Sequence, residues 1–404
     1  MHLVFDISLT VAKPWLAQPS GIDRVEFAHA RHWRGLAARD VTFVMRSFWG
    51  PLAMIPDGLA RDILADVDRI VAPGMSANRL RMRARPAWLM TRQFYLDGQI
   101  QLRRRLAARP DSVLLTASNA TLHLHDRIRR MRALGCRFVP MIFDTIPLTH
   151  PQYFPEREPG FHARRMQAVA HLAEAGLVDS AAAHEDMRAY FGKTGLRLPP
   201  MTVAHPGLDL PQMPARTSPD PDAYMVMLGS LEPRKNHLLM LQIWQTLRHN
   251  PSAPRLLIIG RRPYEANTAL VTLDRGAIPR VEYLGRLPDA ETARILAGAS
   301  ALLFPSIAEG FGIPLAEALS LGVPVIASDI PVFHEVGGDV PEYLDPLDGP
   351  GWRQAVLDYA TPASPRRDAQ LARLPGWKRF TWEAHFAACE RALRAVAAGP
   401  LACF

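Results

Sequence analysis

Two carboxylates, Glu309 and Glu317, stand eight residues apart (317 − 309) in the run Pro305-Ser306-Ile307-Ala308-Glu309-Gly310-Phe311-Gly312-Ile313-Pro314-Leu315-Ala316-Glu317. Gly310, Gly312 and Pro314 lie between them, so the pair cannot share one continuous helix. Glu309 falls in a loop and Glu317 in the first turns of a helix. One carboxylate can then face the reacting end of a ligand while the other faces a hydroxyl-bearing part behind it. Gly310 and Gly312 let a ligand approach backbone amides, and the helix N-terminus behind them favours negative charge. A basic pair, Arg234-Lys235, stands upstream in Gly229-Ser230-Leu231-Glu232-Pro233-Arg234-Lys235-Asn236-His237. Arg as a fork and Lys as a point charge can hold phosphate oxygens, at about 1.5–3 kcal/mol for each charge-assisted hydrogen bond. The plain alternatives are a solvated Glu309, a Glu317 that only complements the helix dipole, and an exposed basic pair.

Both loops follow apolar runs that read as strands. Ala299 to Pro305 reads as a buried strand, Pro314 sits where a first helical residue belongs, and Gly322 is placed to terminate that helix. Val323 to Ala327 is the next short strand. Upstream, Tyr224 to Leu228 precedes the Arg234-Lys235 loop, and a periodic helix, Leu238 to Leu247, follows it. Arg255 to Ile259 is a further strand, and Pro288-Asp289 opens the helix that leads to Ala299. Pro331 to Val336 reads as a short helix ended by Gly337-Gly338, and a terminal helix runs from Phe380-Thr381-Trp382 to Ala398. This is α/β patterning, with the chemistry at the carboxyl ends of strands, where open parallel sheets bind ligands.

The amino half repeats the pattern. A strand from Leu3 to Ile7 leads to Pro19-Ser20-Gly21-Ile22-Asp23-Arg24-Val25, where Gly21 permits close approach of a phosphate or simply makes a strand-to-helix turn. Val113 to Leu115 and Phe138 to Phe143 are further strands. The latter leads to Asp144-Thr145-Ile146-Pro147, in which Asp144 either holds a hydroxyl or caps the turn. Ala173 to Ser180 and Glu185 to Phe191 read as a strand-proximal segment and a helix. Pro211 to Pro221 has linker composition, which sets the expected division at 1–210, 211–380 and a terminal helix 381–404.

The Glu309–Glu317 stretch closely resembles the E-x7-E signature of retaining nucleotide-sugar glycosyltransferases of family four (glycosyl transferases group 1), which have the GT-B fold. By position, the resemblance gives Glu309 to the donor sugar, Glu317 to the nucleotide ribose, and Gly310, Phe311, Gly312 and Ile313 to the sugar and diphosphate. Where the family usually shows G-R-x4-K, Gly229 and Lys235 match, Ser230 replaces the Arg, and Arg234 neighbours the Lys, as in an "E-P-R-K-N" subgroup. Leu284 and Gly285 look like the loop whose backbone meets the base, and Gly21 like the amino-domain glycine loop. Asp144 stands in a segment similar to "HD-x-x-P", with Phe143 in place of the His.

The resemblance implies two Rossmann-like domains facing across a cleft, with the last helix crossing back to the first domain. It implies metal-independent transfer of a hexose with retention, Glu309, Lys235, Arg234 and Asp144 serving the chemistry. No cofactor is implied beyond the donor, a nucleotide diphosphate sugar. The "E-P-R-K-N" loop resembles bacterial mannosyltransferases of surface-polysaccharide assembly, so GDP-mannose is the first expectation, with a glycan or lipid-linked acceptor. Alternatives sharing the fold are a sugar-nucleotide epimerase, a phosphorylase or a non-catalytic nucleotide-sugar-binding protein. A nicotinamide dehydrogenase would need Gly-x-Gly-x-x-Gly after the first strand, and Gly21 lacks it.

At 404 residues, two domains are the prior, and 48% hydrophobic content is that of a soluble globular chain. A net charge of +8 points to an anionic partner; no nucleic-acid signature accompanies it. Residues 79–109 concentrate arginine (Arg79, Arg81, Arg83, Arg85, Arg92, Arg103, Arg104, Arg105, Arg109) among Leu80, Trp88, Phe94 and Tyr95. That mixture suits an anionic inner-membrane surface, or else a merely solvated basic helix. Cys136, Cys389 and Cys403 have no metal or disulfide spacing, and Met1-His2-Leu3-Val4 opens as a strand rather than a signal peptide. The expected location is the cytoplasm, peripheral to the membrane if the basic segment docks there.

Overall fold

The computed structural model describes residues 1–8, 10, 21–46, 51–71, 91–210, 223–263, 267–275, 278–361 and 363–400, the side chains of 67–71, 91–96 and 120 excepted. It divides into two units, one comprising Met1–Pro151, Pro155–Gly207 and Trp382–Phe404, the other Gln152–Phe154 and Leu208–Thr381.

The first unit is built on seven strands, β1 (His2–Asp6), β2 (Val41–Arg46), β3 (Leu52–Met54), β4 (Ser112–Thr116), β5 (Arg137–Ile142), β6 (Gly176–Val178) and β7 (Met201–Val203). Their order is β3-β2-β1-β4-β5-β6-β7, with β3 antiparallel to β2 and the other pairs parallel. Both faces of this sheet are covered, which is why β1 is buried at every position rather than alternating. Leu3, Phe5 and Ile7 enter one core cluster and Val4 the other, the alternation that a strand's two-residue period imposes. Phe386, Cys389 and Leu393 of the helix Trp382–Ala398 pack into the cluster of Leu3 and Phe5. That helix, far away in sequence, therefore belongs to the first unit's core.

The second unit has six strands, β8 (Tyr224–Leu228), β9 (Arg255–Ile259), β10 (Val281–Gly285), β11 (Ala301–Phe304), β12 (Val325–Ser328) and β13 (Glu342–Leu344), all parallel, in the order β10-β9-β8-β11-β12-β13. Strand order reverses between β8 and β11, so a crevice opens at their carboxyl ends. Trp244 and Trp352, fully buried, fill the core beside Met225, Met227, Leu256 and Leu303. Two covered, mostly parallel sheets with helices give the α/β class that the sequence implies.

Candidate active site

Three glycines shape the carboxyl ends of β8, β9 and β10. Gly229 donates its N–H to Ile259 O at 3.0 Å, and Gly260 donates to Gly285 O at 2.8 Å. A Cβ on Gly260 would lie 1.7 Å from Gly229 O, so only glycine lets these strand ends close up. Gly285 (φ +68°) follows Leu284, and both are half-buried. Beyond Gly229 the chain turns through Pro233–Lys235, a single 3-10 turn, and Asn236 (φ 56°) switches it into the helix His237–Thr246. Asn tolerates the left-handed region, and its Nδ2 donates to Pro346 O at 2.9 Å.

The second loop follows β11. Gly312 has φ +95°, and a Cβ there would meet the Phe333 ring at 2.9 Å, so both conformation and space require glycine. The helix is Ile313–Ser320, beginning one residue before Pro314 rather than at it. Proline is tolerated at this second position because the first-turn N–H groups lack intrahelical partners. Gly322 (φ +72°) lies just past its end. Phe311 turns its side chain away to pack edge-on against Phe380, ring centroids 5.2 Å apart. Glu317 is half-buried on the second turn.

The two loops meet at Glu309. Ile307 N–H donates to Arg234 O at 2.8 Å, joining them through the backbone. Lys235 Nζ pairs with Glu309 Oε1. Arg234 Nη1 donates to Glu309 Oε2 at 2.9 Å and to Ala308 O at 3.0 Å. Glu232 accepts from Arg234 Nε at 3.1 Å and from Ser230 Oγ at 2.7 Å. The Lys235 ammonium also sits 5.2 Å above the Phe304 ring at the end of β11. It therefore stands over the junction of β8 and β11. Only 7% of the Glu309 side chain and 11% of that of Lys235 are exposed.

Burial alone would raise the Glu309 carboxyl, but Lys235 and Arg234 outweigh it and hold it at about 2. Burial pushes Lys235 below the ordinary lysine value against the opposing pull of Glu309. Burial would raise Glu232, but Arg234, the Ser230 hydroxyl and Lys235 together outweigh it and hold the carboxyl low. The residue that sequence reasoning passes over is Glu232. Its position two residues before Arg234 was legible, but its partner was not. His237, also buried, is depressed to about 4, first by burial and then by the nearby Lys235 charge.

Gly21 and Asp144 lie in the first unit. Gly21 is the exposed first residue of the helix Gly21–Arg34. Asp144 Oδ1 accepts from Ile146 N–H at 3.0 Å, so the carboxylate caps the turn before Pro147. His162 Nε2 donates to Asp144 O at 3.0 Å. Phe143 is buried in the core.

The first unit contains a second cluster, which no spacing rule predicts. Trp33 Nε1–H donates to His29 Nδ1 at 3.1 Å, and His385 Nδ1 lies 3.1 Å from the carbonyls of Ala204 and His205. The indole can only donate and a carbonyl can only accept, so His29 carries its proton on Nε2 and His385 on Nδ1. His29 Nε2–H then donates to His385 Nε2 at 2.9 Å. Both imidazoles are neutral and fully used. Cys389 Sγ lies 3.6 Å from His385 Nε2, and the three ligand atoms fall within 4.8 Å of one another. A metal on His29 Nε2 would move that proton to Nδ1, against the Trp33 donor, so these residues suit a hydrogen-bond relay rather than an ion.

Comparison with known proteins places this geometry. Residues 211–339 match the model of the glycosyl transferases group 1 family, a span that holds Arg234, Lys235, Glu309 and Glu317. Over that span the chain is similar to the glycosyl transferases of group 1. Its curated relatives include the O-antigen chain mannosyltransferase B of Escherichia coli, 29% identical over 259 residues that make up 61% of this chain and 67% of the relative. The serotype-specific mannosyltransferase WbdA of the same species is 26% identical over 69% of this chain, which spans only 37% of that relative. Among solved structures, Anabaena HepE in complex with UDP aligns over 97% of this chain and 99% of its own, with a TM-score of 0.62 at 14% identity. A sucrose-phosphate synthase from Thermosynechococcus elongatus gives 0.60 over 98% and 99%, also at 14% identity. These structural likenesses establish the GT-B fold.

Proposed function

We propose that this chain is a retaining, metal-independent hexosyltransferase of surface-polysaccharide assembly. It moves mannose, as first choice, from a nucleotide diphosphate sugar such as GDP-mannose to a hydroxyl of a glycan or lipid-linked acceptor. The observation that carries the reading is the buried Lys235–Glu309 pair at the carboxyl-end crevice between β8 and β11, reinforced by Arg234. The choice of mannose rests on curated relatives named as O-antigen mannosyltransferases.

The electrostatics bear on mechanism. A carboxyl held at about 2 by two cations is a poor proton acceptor at neutral pH, and both its oxygens are engaged. That argues against Glu309 as general base or as a nucleophile. Front-side displacement fits better, with the departing diphosphate oxygen taking the acceptor's proton on the face it leaves. Lys235 and the N–H groups at the start of Ile313–Ser320 would then stabilise charge developing on the diphosphate. Glu309 contributes a fixed negative charge on the sugar side, and Glu317 accepts from ribose hydroxyls. The protein works in the cytoplasm, with the basic segment docking on the anionic membrane surface. Among the described residues no helix is long and apolar enough to cross a membrane.

A thermal-shift panel of GDP- and UDP-sugars, followed by a transfer assay with the best donor, tests the proposal. A ligand at about 100 times its Kd stabilises by roughly 2.7 kcal/mol, which is readily seen. Stabilisation by GDP-mannose with transfer to a mannosyl acceptor, the anomeric configuration retained, is the expected result. Donor binding without turnover on any acceptor would instead mark a nucleotide-sugar-binding protein.

A further inference from the structure

We propose that Arg234 is a positioning residue that fixes Glu309 and its loop, and that donor phosphate oxygens are left to Lys235. The inference rests on the donor reading above and revises the division of labour that Arg234-Lys235 suggests as a sequence pair.

The assignment follows from where the N–H groups of Arg234 go. A guanidinium has five. The one on Nε faces Glu232 Oε2 at 3.1 Å, and Nη2 lies 3.1 Å from the same oxygen. The two on Nη1 go to Glu309 Oε2 at 2.9 Å and to Ala308 O at 3.0 Å. Two edges of the planar group are thus closed by carboxylates, and only 16% of the side chain is exposed. Turning the fork toward a diphosphate would break pairs to Glu232 and Glu309 together, leaving a buried carboxylate short of a donor. Lys235 is built differently. Its ammonium has three N–H groups, and among the described residues one partner, Glu309, takes a hydrogen bond from it. It can keep Glu309 and still donate to a ligand.

Arg234 is also the residue that staples the loops. Its carbonyl accepts from Ile307 N–H and its guanidinium donates to Ala308 O, the two residues just before the one it must orient. The contacts of Arg234 therefore hold residues 307, 308 and 309 in succession. A side chain engaged this way serves the reaction through Glu309, not through the leaving group.

The test compares Arg234→Gln with Lys235→Gln, using calorimetry with GDP and GMP (UDP and UMP run beside them) and steady-state transfer. Arg234→Gln is expected to keep the wild-type preference for diphosphate over monophosphate within about threefold while kcat falls on the order of tenfold at nearly unchanged donor KM. Lys235→Gln should lower that preference about tenfold. In a Glu309→Gln background, Arg234→Gln should have no further effect on kcat, because Arg234 acts only through that carboxylate. Arg234→Lys should not rescue, since an ammonium cannot span both carboxylates. A collapsed diphosphate preference in Arg234→Gln, or full additivity with Glu309→Gln, overturns the assignment. If Arg234→Gln fails to fold by its thermal transition, Glu232→Gln replaces it. Loosening that outer clamp should lower kcat with the preference intact, and a lost preference there overturns the idea equally. Failure of the wild-type protein to bind any of these nucleotides defeats the donor reading itself, a distinct outcome.

Discussion

Both units bury titratable side chains, and they solve the cost in opposite ways. In the first, His29 and His385 stay neutral and pass hydrogen bonds from Trp33 to the carbonyls of Ala204 and His205. In the second, Lys235, Arg234, Glu232 and Glu309 stay charged and cancel one another across two loops. A neutral relay suits a joint that has only to hold the helix Trp382–Ala398 on the sheet. A compensated charge cluster costs more to assemble, and it makes sense where negative charge must later be accommodated without reorganisation. The contrast fits the proposed division, the first cluster as architecture and the second as the place of chemistry.

The largest effect expected from breaking the charged cluster is on turnover. Lys235→Ala should lower kcat by about 10²–10³, as loss of one preorganised donor does elsewhere, while donor affinity changes far less. Unchanged turnover with weakened donor binding would remove Lys235 from the transition state.

The neutral cluster should show itself in pH instead. Burial depresses His385 to about 4 and holds His29 well below its ordinary value, and His2 and His162 in the same unit are also lowered by burial. The unfolded chain binds these protons first, near pH 6.5, so stability is complete above that value and falls as pH drops toward 4. Each such group contributes about 1.4 kcal/mol per pH unit across the window. The second unit has His237 as its lowered histidine among the described residues, while Glu309 loses its contribution only below its unfolded value, as pH falls toward about 2. Hydrogen exchange at pH 7 and pH 5 should therefore show the first unit losing more protection. Equal loss in both units would erase the distinction.

Within the charged cluster, Glu309 and Glu317 should separate. Glu317→Gln should weaken free nucleotide diphosphate by about 1–3 kcal/mol, one charged hydrogen bond. Glu309→Gln should leave that affinity undiminished and reduce transfer. The reverse pattern in calorimetry would place the donor the other way round.

The smallest effect concerns the basic segment. Residues 72–90 lie outside the described residues, and with them Arg79, Arg81, Arg83 and Arg85. In the described helix Thr91–Ala107, Arg105 donates to Ala38 O at 3.0 Å, and beyond it Arg109 holds Asp111. These two serve the fold. Arg103 and Arg104 are exposed, so Arg103→Glu with Arg104→Glu should reduce sedimentation with anionic vesicles by about 1 kcal/mol per residue, leaving thermal stability unchanged. Equal sedimentation of both proteins would rule out this face.

Much of the second unit was legible because its signals are local. Tyr224–Leu228 and Arg255–Ile259 are bounded as read, and the helix at 331 ends where Gly337-Gly338 requires. Strands β2 and β3 and the helices Gly349–Ala360 and Pro365–Arg373 went unread, although Asp348 and Ser364 cap the two helices ahead of a proline in each first turn. Asp144 left two roles open; its Oδ1 takes the capping bond from Ile146 N–H, and the hydroxyl-holding role stays untested by that bond.

The sequence by itself determined most of the strands and helices of the second unit, the glycines at strand ends and the presence of one basic and one acidic loop after strands. Those follow from period, chain direction and local sterics, which act over a few residues. Tertiary structure alone decided that Arg234 faces Glu309 across 75 positions and that His29 meets His385 across 356. It also decided which guanidinium hydrogens are already spent and which imidazole nitrogen carries its proton. Such assignments depend on what lies opposite once the sheet has closed. No rule of spacing reaches that far, because the partner is chosen by packing rather than by the chain between.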